Sequence, residues 1–457
     1  MFIDLFCGGG GASSGVLAAY AEQNRNPVGV FVDYDPVALR VHSDNHPGHV
    51  HLEEDLFKLN PADLKAADGE WAIVRKTDEV SLLWASPSCV QFSLARGNMP
   101  VTEKDRAHGD VAIKWIREFR PRAVICENVV QWQQWGPLTG EPGNMRPDPA
   151  RKGEYFREWI QALEELGYDV EYRELCSADY GNATIRRRLF VMACRRDTGL
   201  TIQWPEPLTP EEKWVRALDV LELNDIGKPI FERKKGLAPK TLRRIARGLM
   251  RQIASGTRDD LRYLVILRSG SSFQLLDRPM PTSTTSGGHQ MVVTVPFLVN
   301  TNHGQDAGCV SPINRPLKTL TTKSSWGTFM CPLDPLPRGM GMVELKDAPP
   351  GLARDFAVIL QQELDARPVR GVGRVGMKKT DEGAWRPALV VEDGLWVLNP
   401  HFRMVNSREL ATAQGFPRDY VWNCTGTQKT KIIGNSVSGG VARALAASFL
   451  KQKASNP

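Results

Sequence analysis

The stretch LLWASPSCVQFSLARG, residues 82 to 97, runs from an apolar, strand-like segment straight into Pro87, Ser88 and Cys89. A thiol in a proline-stiffened loop behind a strand stands where an α/β enzyme places a nucleophile, because its thiolate adds readily to electrophilic carbon. Packing as a small apolar side chain is the competing role for any cysteine. Cys7, Cys126, Cys176 and Cys194 lie inside apolar segments and are read as packing. RAVICENVVQW puts Glu127 and Asn128 at the end of another apolar run. A carboxyl group there is poorly solvated, so its pKa rises and it can donate a proton near neutrality. The alternative is a helix N-cap made by Asn128 with Glu127 behind it.

FIDLFCGGGG is an apolar strand ending in consecutive glycines, with helix-compatible ASSGVLAAYAEQ after it. Glycines in that place let the backbone approach a ligand and let helix and strand pack tightly, although a plain tight turn has the same pattern. About twenty residues on, VGVFVDYDP ends a second strand in Asp33, where a carboxylate can accept from ribose hydroxyls. Tyr34 is placed to stack on an adenine, and Asp55, after a third strand, to take an adenine amino group; each carboxylate alone reads equally well as a solvated loop residue. HPGHVH, residues 46 to 51, has a spacing that fits no common zinc pattern, so no metal is expected. The tryptophans of QWQQWG are read as packing.

The elements that must position these groups alternate. FIDLF, VGVFVD, VSLLWA, RAVICEN and RRLFVMAC are short and apolar, and between them lie amphipathic stretches such as AIKWIREF and YFREWIQALEELG. That order predicts a doubly wound, mostly parallel α/β sheet with helices on both faces and ligands at the carboxyl ends of the strands. After residue 200 prolines punctuate the chain and Gly, Thr and Ser accumulate, so a second, smaller domain is expected over 201–420, between a domain at 1–200 and a returning segment at 421–457. RPMPTSTTS from Arg278 is echoed by RPLKTLTTK from Arg315, a weak repeat of two copies. GLARDFAVILQQELDA from Gly351 reads as one amphipathic helix, and IIGNSVSGGVARALAASFLKQ as a Gly-Asn turn running into another.

The 457 residues are 42 % hydrophobic and 24 % charged, with no apolar run of membrane-spanning length, so no membrane partner is expected. Nor does the amino terminus read as an export signal. Eight scattered cysteines without a CxxC pair fit a reducing, cytoplasmic setting. A formal charge of +6 permits a polyanionic partner without requiring one.

Taken in order, these segments resemble the DNA cytosine-5 methyltransferase family, of bacterial or phage type. DLFCGGGG is similar to its first motif, SPSC stands in the place of its PCQ loop, and Glu127 to Val129 form its ENV motif. YGNATIRRRLFV resembles its YGVPQxRxR segment, with Arg186 and Arg188 on the two arginines, and RELATAQGFP and IIGNSV resemble its closing motifs. Three departures stand out: Ser88 precedes the cysteine with Gln91 displaced downstream, Thr184 replaces a glutamine, and Gly9 is a fourth glycine that breaks no obvious contact.

The resemblance implies methyl transfer from S-adenosylmethionine, without a metal, to carbon 5 of a cytosine flipped out of a specific double-stranded DNA sequence. It assigns Cys89 the nucleophile's role at carbon 6, Glu127 the cytosine N3 and amine, and Arg186 and Arg188 the O2 edge. It implies a cofactor pocket of Phe6, Gly8, Gly10, Gly11, Asp33, Tyr34, Asp55, Pro87, Asn435 and Ser436. The second domain takes the place of the target-recognition region, where the basic ERKKGLAPKTLRRIARGLMRQ from Glu232 suits phosphate contact. A monomer is expected, and a cognate restriction endonuclease fits as a partner. Rival readings are a tRNA methyltransferase, against which the long recognition region counts, a decayed DNA-binding regulator, and a nicotinamide-dependent oxidoreductase. The last leaves ENV and the arginines without a role.

Overall fold

The FIDL run forms β1 (Phe2–Leu5), the centre of a seven-stranded sheet in a computed structural model. The structure describes residues 1–64, 79–88, 92, 108–141, 143–254, 262–266, 273–283, 290–294, 342–380, 383–391 and 394–452. Cys89, Gln91 and the second copy of the repeat, from Arg315, lie outside the described residues.

Beside β1 run β2 (Gly29–Asp33), β3 (Val50–Glu53), β4 (Leu82–Ala85) and β5 (Ala123–Asn128), all parallel, in the spatial order β3-β2-β1-β4-β5. Two antiparallel strands complete the sheet: β6 (Tyr168–Cys176) at the edge and β7 (Arg187–Arg195) between it and β5. The fold is the doubly wound α/β class that the alternation of segments predicts.

Strand periodicity explains the two cores. Ile3 and Leu5 of β1 face one way, into a cluster with Trp115 and Ile116 of α3 (His108–Phe119) and Trp159 and Leu163 of α4 (Glu154–Glu165). Phe2 faces the other way, toward Val16 of α1 (Gly11–Ala21) and Leu445 of α9 (Gly439–Leu450). Asp4 shares that second face, a carboxyl group in an otherwise apolar, fully buried strand. Helices α1 and α9 pack closely because Gly15 has no side chain: a Cβ there would lie 2.2 Å from the Gly439 carbonyl oxygen.

The described chain divides into two units, Met1–Val220 with Pro279–Gly287 and Ser407–Pro457, and Leu221–Arg278 with Gly288–Asn406. These changeovers differ from the breaks read in sequence at 200/201 and 420/421. Residues past 200 stay with the first unit through Thr201 N–H to Gln452 Oε1 (2.9 Å), Tyr180 OH to Pro205 O (2.9 Å) and Trp214 Nε1 to Asp179 Oδ1 (3.0 Å). Met280 pairs with Thr184 in a short parallel ladder, which returns 279–287 to the same unit.

In the second unit α5 (Pro239–Ala254) and α6 (Leu352–Ala366) share a core with Tyr263, Val293 and Leu389 from two antiparallel sheets. The first unit then closes with α7 (Ser407–Gln414), α8 (Gly426–Asn435) and α9. Gly434 and Asn435 end α8 rather than forming a free turn. A Thr425–Gln428 capping box starts that helix far enough upstream to carry them in its last turn.

Candidate active site

Where β1 ends the backbone must turn sharply toward α1, and it does so through Phe6 (φ +60°), Gly8 (φ +53°) and Gly10 (φ +89°). Phe6 holds a conformation rare for a bulky residue, and such outliers gather at functional sites. Phe6, Gly8, Gly9 and Gly11 form one wall of a cavity of about 260 Å³ at the carboxyl ends of the parallel strands. Gly9 does have a contact to protect: a Cβ there would stand 2.3 Å from Ile432 Cγ2, so the fourth glycine admits the helix that carries Asn435. A Cβ on Gly11 would meet the Val437 carbonyl oxygen at 2.4 Å.

Asp33, at the end of β2, accepts the Gly8 N–H on Oδ2 and the Asp35 N–H on Oδ1, both at 2.8 Å. Burial pushes its carboxyl above the usual carboxylate range, against the pull of those N–H donors. Each of its oxygens keeps a lone pair for a hydroxyl of a bound nucleoside. Tyr34 beside it is 71 % exposed and lines the cavity, an open ring face available for stacking. Asp35 caps α2 (Pro36–Asn45) through the Val37 and Ala38 N–H groups, and its other oxygen takes Lys431 Nζ at 3.0 Å across the cavity mouth.

Glu127 and Arg188 meet because of strand register. Phe190 of β7 stands opposite Glu127 of β5, so Arg188, two residues before it, shares the face of Glu127 as its diagonal neighbour. Arg188 Nε lies 3.2 Å from Glu127 Oε1, close enough for an ion pair but off the line of a hydrogen bond, which leaves Oε1 buried without one. Burial raises the Glu127 pKa, while the guanidinium groups of Arg188 and Arg186 lower it; burial prevails. Arg186 is 3 % exposed and donates from Nη1 to the Gly434 carbonyl at 3.2 Å, tying the end of α8 to this corner. All three side chains line the cavity.

Asn128 is not a helix cap. It ends β5, and its Nδ2 donates to the Pro87 carbonyl at 3.1 Å while its Oδ1 accepts the Val129 N–H at 2.8 Å. Asn128 therefore holds the loop after β4 against the end of β5, with Ser86, Pro87 and Ser88 on the cavity wall. Ser88 precedes Cys89 in sequence.

Most of the residues picked from sequence converge here: Phe6, Gly8, Gly11, Asp33, Tyr34, Pro87, Glu127, Arg186, Arg188, Asn435 and Ser436 line the same cavity. Among the described residues two stand off its wall. Gly10 faces Tyr420 and His46, and Asp55 accepts the Phe57 N–H at 3.0 Å and pairs with Lys58 at 3.7 Å. Asp4, Ser86 and Lys431 line the cavity without having been singled out by sequence. A carboxylate inside the apolar run FIDL was the available signal for Asp4. Among the described residues no three His, Cys, Asp or Glu side chains are grouped to hold a metal ion, and no helix is long and apolar enough to cross a membrane. Cys7, Cys126, Cys176 and Cys194 are buried, as the sequence reading has them.

The arrangement offers a nucleoside-sized pocket between glycine turn and Asp33, and beside it a buried carboxyl group with two guanidinium groups. Such a site can hold a planar base by its polar edge and move a proton to it. The chain is 28 % identical over 207 residues to the type II methyltransferase M.XorII of Xanthomonas oryzae, covering 45 % of this chain and 42 % of that one. It is 29 % identical over 217 residues to the type II methyltransferase M.SacI of Streptomyces achromogenes, covering 45 % and 50 %. The chain thus spans about half the length of the curated relatives it matches. Among solved structures, S. pombe Dnmt2 methyltransferase aligns over 98 % of each chain with 14 % identity and a TM-score of 0.47. The profile of C-5 cytosine-specific DNA methylase matches residues 1–247 and 372–451, and the chain belongs to that family.

Proposed function

We propose that this protein methylates carbon 5 of cytosine in a specific duplex DNA sequence, with S-adenosylmethionine as donor. The observation that supports this most is the convergence of Glu127, Arg188 and the loop leading to Cys89 on the cavity that Asp33 and the glycine turn also line. The cavity fits such a cofactor: Asp33 has lone pairs to spare for a ribose, Tyr34 has a free ring face, and Asp4 carries a buried, unpartnered oxygen. When bound, S-adenosylmethionine supplies an electrophilic methyl group.

Carbon 5 of cytosine is a weak nucleophile, and Cys89 activates it by adding its thiolate to carbon 6. Glu127, whose pKa burial raises, gives a proton to N3 and so accommodates the charge pushed into the ring. Arg188 steadies that carboxyl group and offers its remaining donors to the O2 edge. Arg186 is committed to the Gly434 carbonyl through Nη1, so its main contribution is to fix α8 against the base pocket. After methylation, loss of the carbon-5 proton expels Cys89 and restores the aromatic ring. The target atom is inaccessible inside a duplex, so the base must be flipped out to reach this site.

The second unit, Leu221–Arg278 with Gly288–Asn406, is the proposed reader of the DNA sequence. Lys240 and Arg243 stand on the exposed side of α5 and suit phosphates, whereas Arg247 on the same side is paired with Glu363. The relatives' designation as type II methyltransferases supports a DNA substrate and a partner restriction endonuclease. The test is nucleoside mass spectrometry of unmethylated duplex DNA incubated with the protein and S-adenosylmethionine, beside Cys89→Ala. We expect 5-methyldeoxycytidine from the wild type and none from the variant. Turnover by the variant, or product only on tRNA, would overturn the reading.

A further inference from the structure

The histidines of HPGHVH, and His42 of α2 before them, take no part in that chemistry, yet the fold gathers them behind the glycine turn. His42, His49 and His51 ring Phe31, with ring centroids 4.5 to 5.3 Å from its own. From the cavity outward a continuous chain of hydrogen bonds runs through them. Asp4 lines the cavity and is fully buried, and its Oδ1 has no hydrogen-bond partner among the described residues. Its Oδ2 lies 2.5 Å from Ser13 Oγ, Ser13 Oγ 2.9 Å from His42 Nε2, and His42 Nδ1 2.9 Å from His51 Nε2. His51 Nδ1 reaches the His49 carbonyl at 3.2 Å, and His51 is half-buried at the molecular surface.

We propose that Asp4, Ser13, His42 and His51 form a proton relay through which the buried carboxyl group of Asp4 sheds its proton to solvent when a cationic ligand enters the cavity. The inference rests on the cofactor reading above, since S-adenosylmethionine carries both a sulfonium and an ammonium group. Every link has a donor and an acceptor in one direction. Protonated Asp4 donates to Ser13, Ser13 to His42 Nε2 and His42 Nδ1–H to His51 Nε2; His51, half exposed, then gives its Nδ1–H to water, leaving the His49 carbonyl that this proton had been bonded to. One step along the chain breaks the Asp4 O–H bond, makes and breaks one bond at each intermediate, and delivers one proton to solvent. It leaves Ser13 donating to the Asp4 carboxylate, whose Oδ1 faces the ligand's charge.

The surroundings favour this. Burial, with Asp33 nearby, pushes the Asp4 carboxyl up to about 8 despite its Ser13 bond, so it is mostly neutral at pH 7 before a cation approaches. Cys7, the other titratable group on that side, is held well above its usual range by burial and by both carboxylates, and stays a thiol. Burial and the neighbouring His46, His51 and His49 keep His42 neutral, able to pass a proton without retaining it. On the far side His46 bonds Ser14 Oγ (3.0 Å) and faces Tyr420, whose hydroxyl donates to the Gly9 carbonyl (2.6 Å); neither is a link of the relay.

The experiment is stopped-flow mixing of the full chain with S-adenosylmethionine at pH 7 in weak buffer. A pH indicator dye follows the proton and tryptophan fluorescence follows binding. The relay predicts close to one proton released per ligand bound by the wild type and none by Asp4→Asn. In His42→Gln, and in His51→Gln at the half-buried end, release should lag binding at least tenfold more than in the wild type. Binding without proton release would overturn the inference while leaving the cofactor reading standing. Release at wild-type speed from both histidine variants would overturn the relay, the proton then leaving through the cavity. Failure of the wild type to bind S-adenosylmethionine at all would overturn the cofactor reading and this inference with it.

Discussion

Glu127 combines burial, a guanidinium contact and a place at a strand's end, and in the proposed reaction its proton is what it supplies. Glu127→Gln keeps the shape and removes the mobile proton. We expect methyl transfer to fall about 10²- to 10⁴-fold in single turnover, with DNA affinity little changed. The histidines set a different dependence. Burial and neighbouring imidazoles push His46 from 6.5 down to about 4, so the unfolded chain takes up a proton that the folded chain refuses. Stability therefore falls as pH drops from about 6.5 toward 4 and is fully present above that window. Thermal melts over this range should show a drop that shrinks in His46→Gln. Glu127 was legible in sequence, because a carboxylate closing an apolar strand is itself anomalous. The contacts of His42 were not, since they need Ser13 and His51 delivered by two other elements.

At the scale of elements, β1, β2, β4 and β5 announced themselves because they are buried on both faces and read as largely apolar runs. The edge strand β6 escaped notice: its YDVEYRELC is mostly exposed and carries the charges that discourage edge pairing. Helix α8 was hidden for another reason, its Gly-Asn end resembling a turn. The α1–α9 contact predicts that Gly15→Ala, with its Cβ on the Gly439 carbonyl oxygen, costs about 1–3 kcal/mol, read as a lowered melting temperature. On α5, Lys240→Glu with Arg243→Glu should weaken DNA binding across sequences alike. Each lost phosphate contact should flatten the slope of log affinity against log salt by about 1.

For the whole molecule, the first unit is assembled from both ends of the chain. Lys431, Asn435, Ser436 and Val437 line the cavity that β1 and β2 begin, and Leu445 and Phe449 share the core of Phe2 and Val16. Truncation after Asn406 should therefore expose the buried face of α1 and leave no stable cavity. Rapid proteolysis and loss of the cooperative melt would show it, whereas a folded, ligand-binding fragment would refute it. The ordered motifs made this return of the chain legible, but the boundaries were not, because 201–220 and 279–287 are held by individual hydrogen bonds rather than by any change of composition.

That seam between Gly9 and Ile432, and between Gly11 and Val437, has a consequence during synthesis. A ribosome adding roughly 5–20 residues per second needs on the order of 20 to 70 s to travel from the Pro87 loop to Lys431. Through that interval the nascent first half has its glycine turn but no opposite wall to close on. The cavity is completed only when the last helices emerge, so a chain still tethered to its messenger has no finished site.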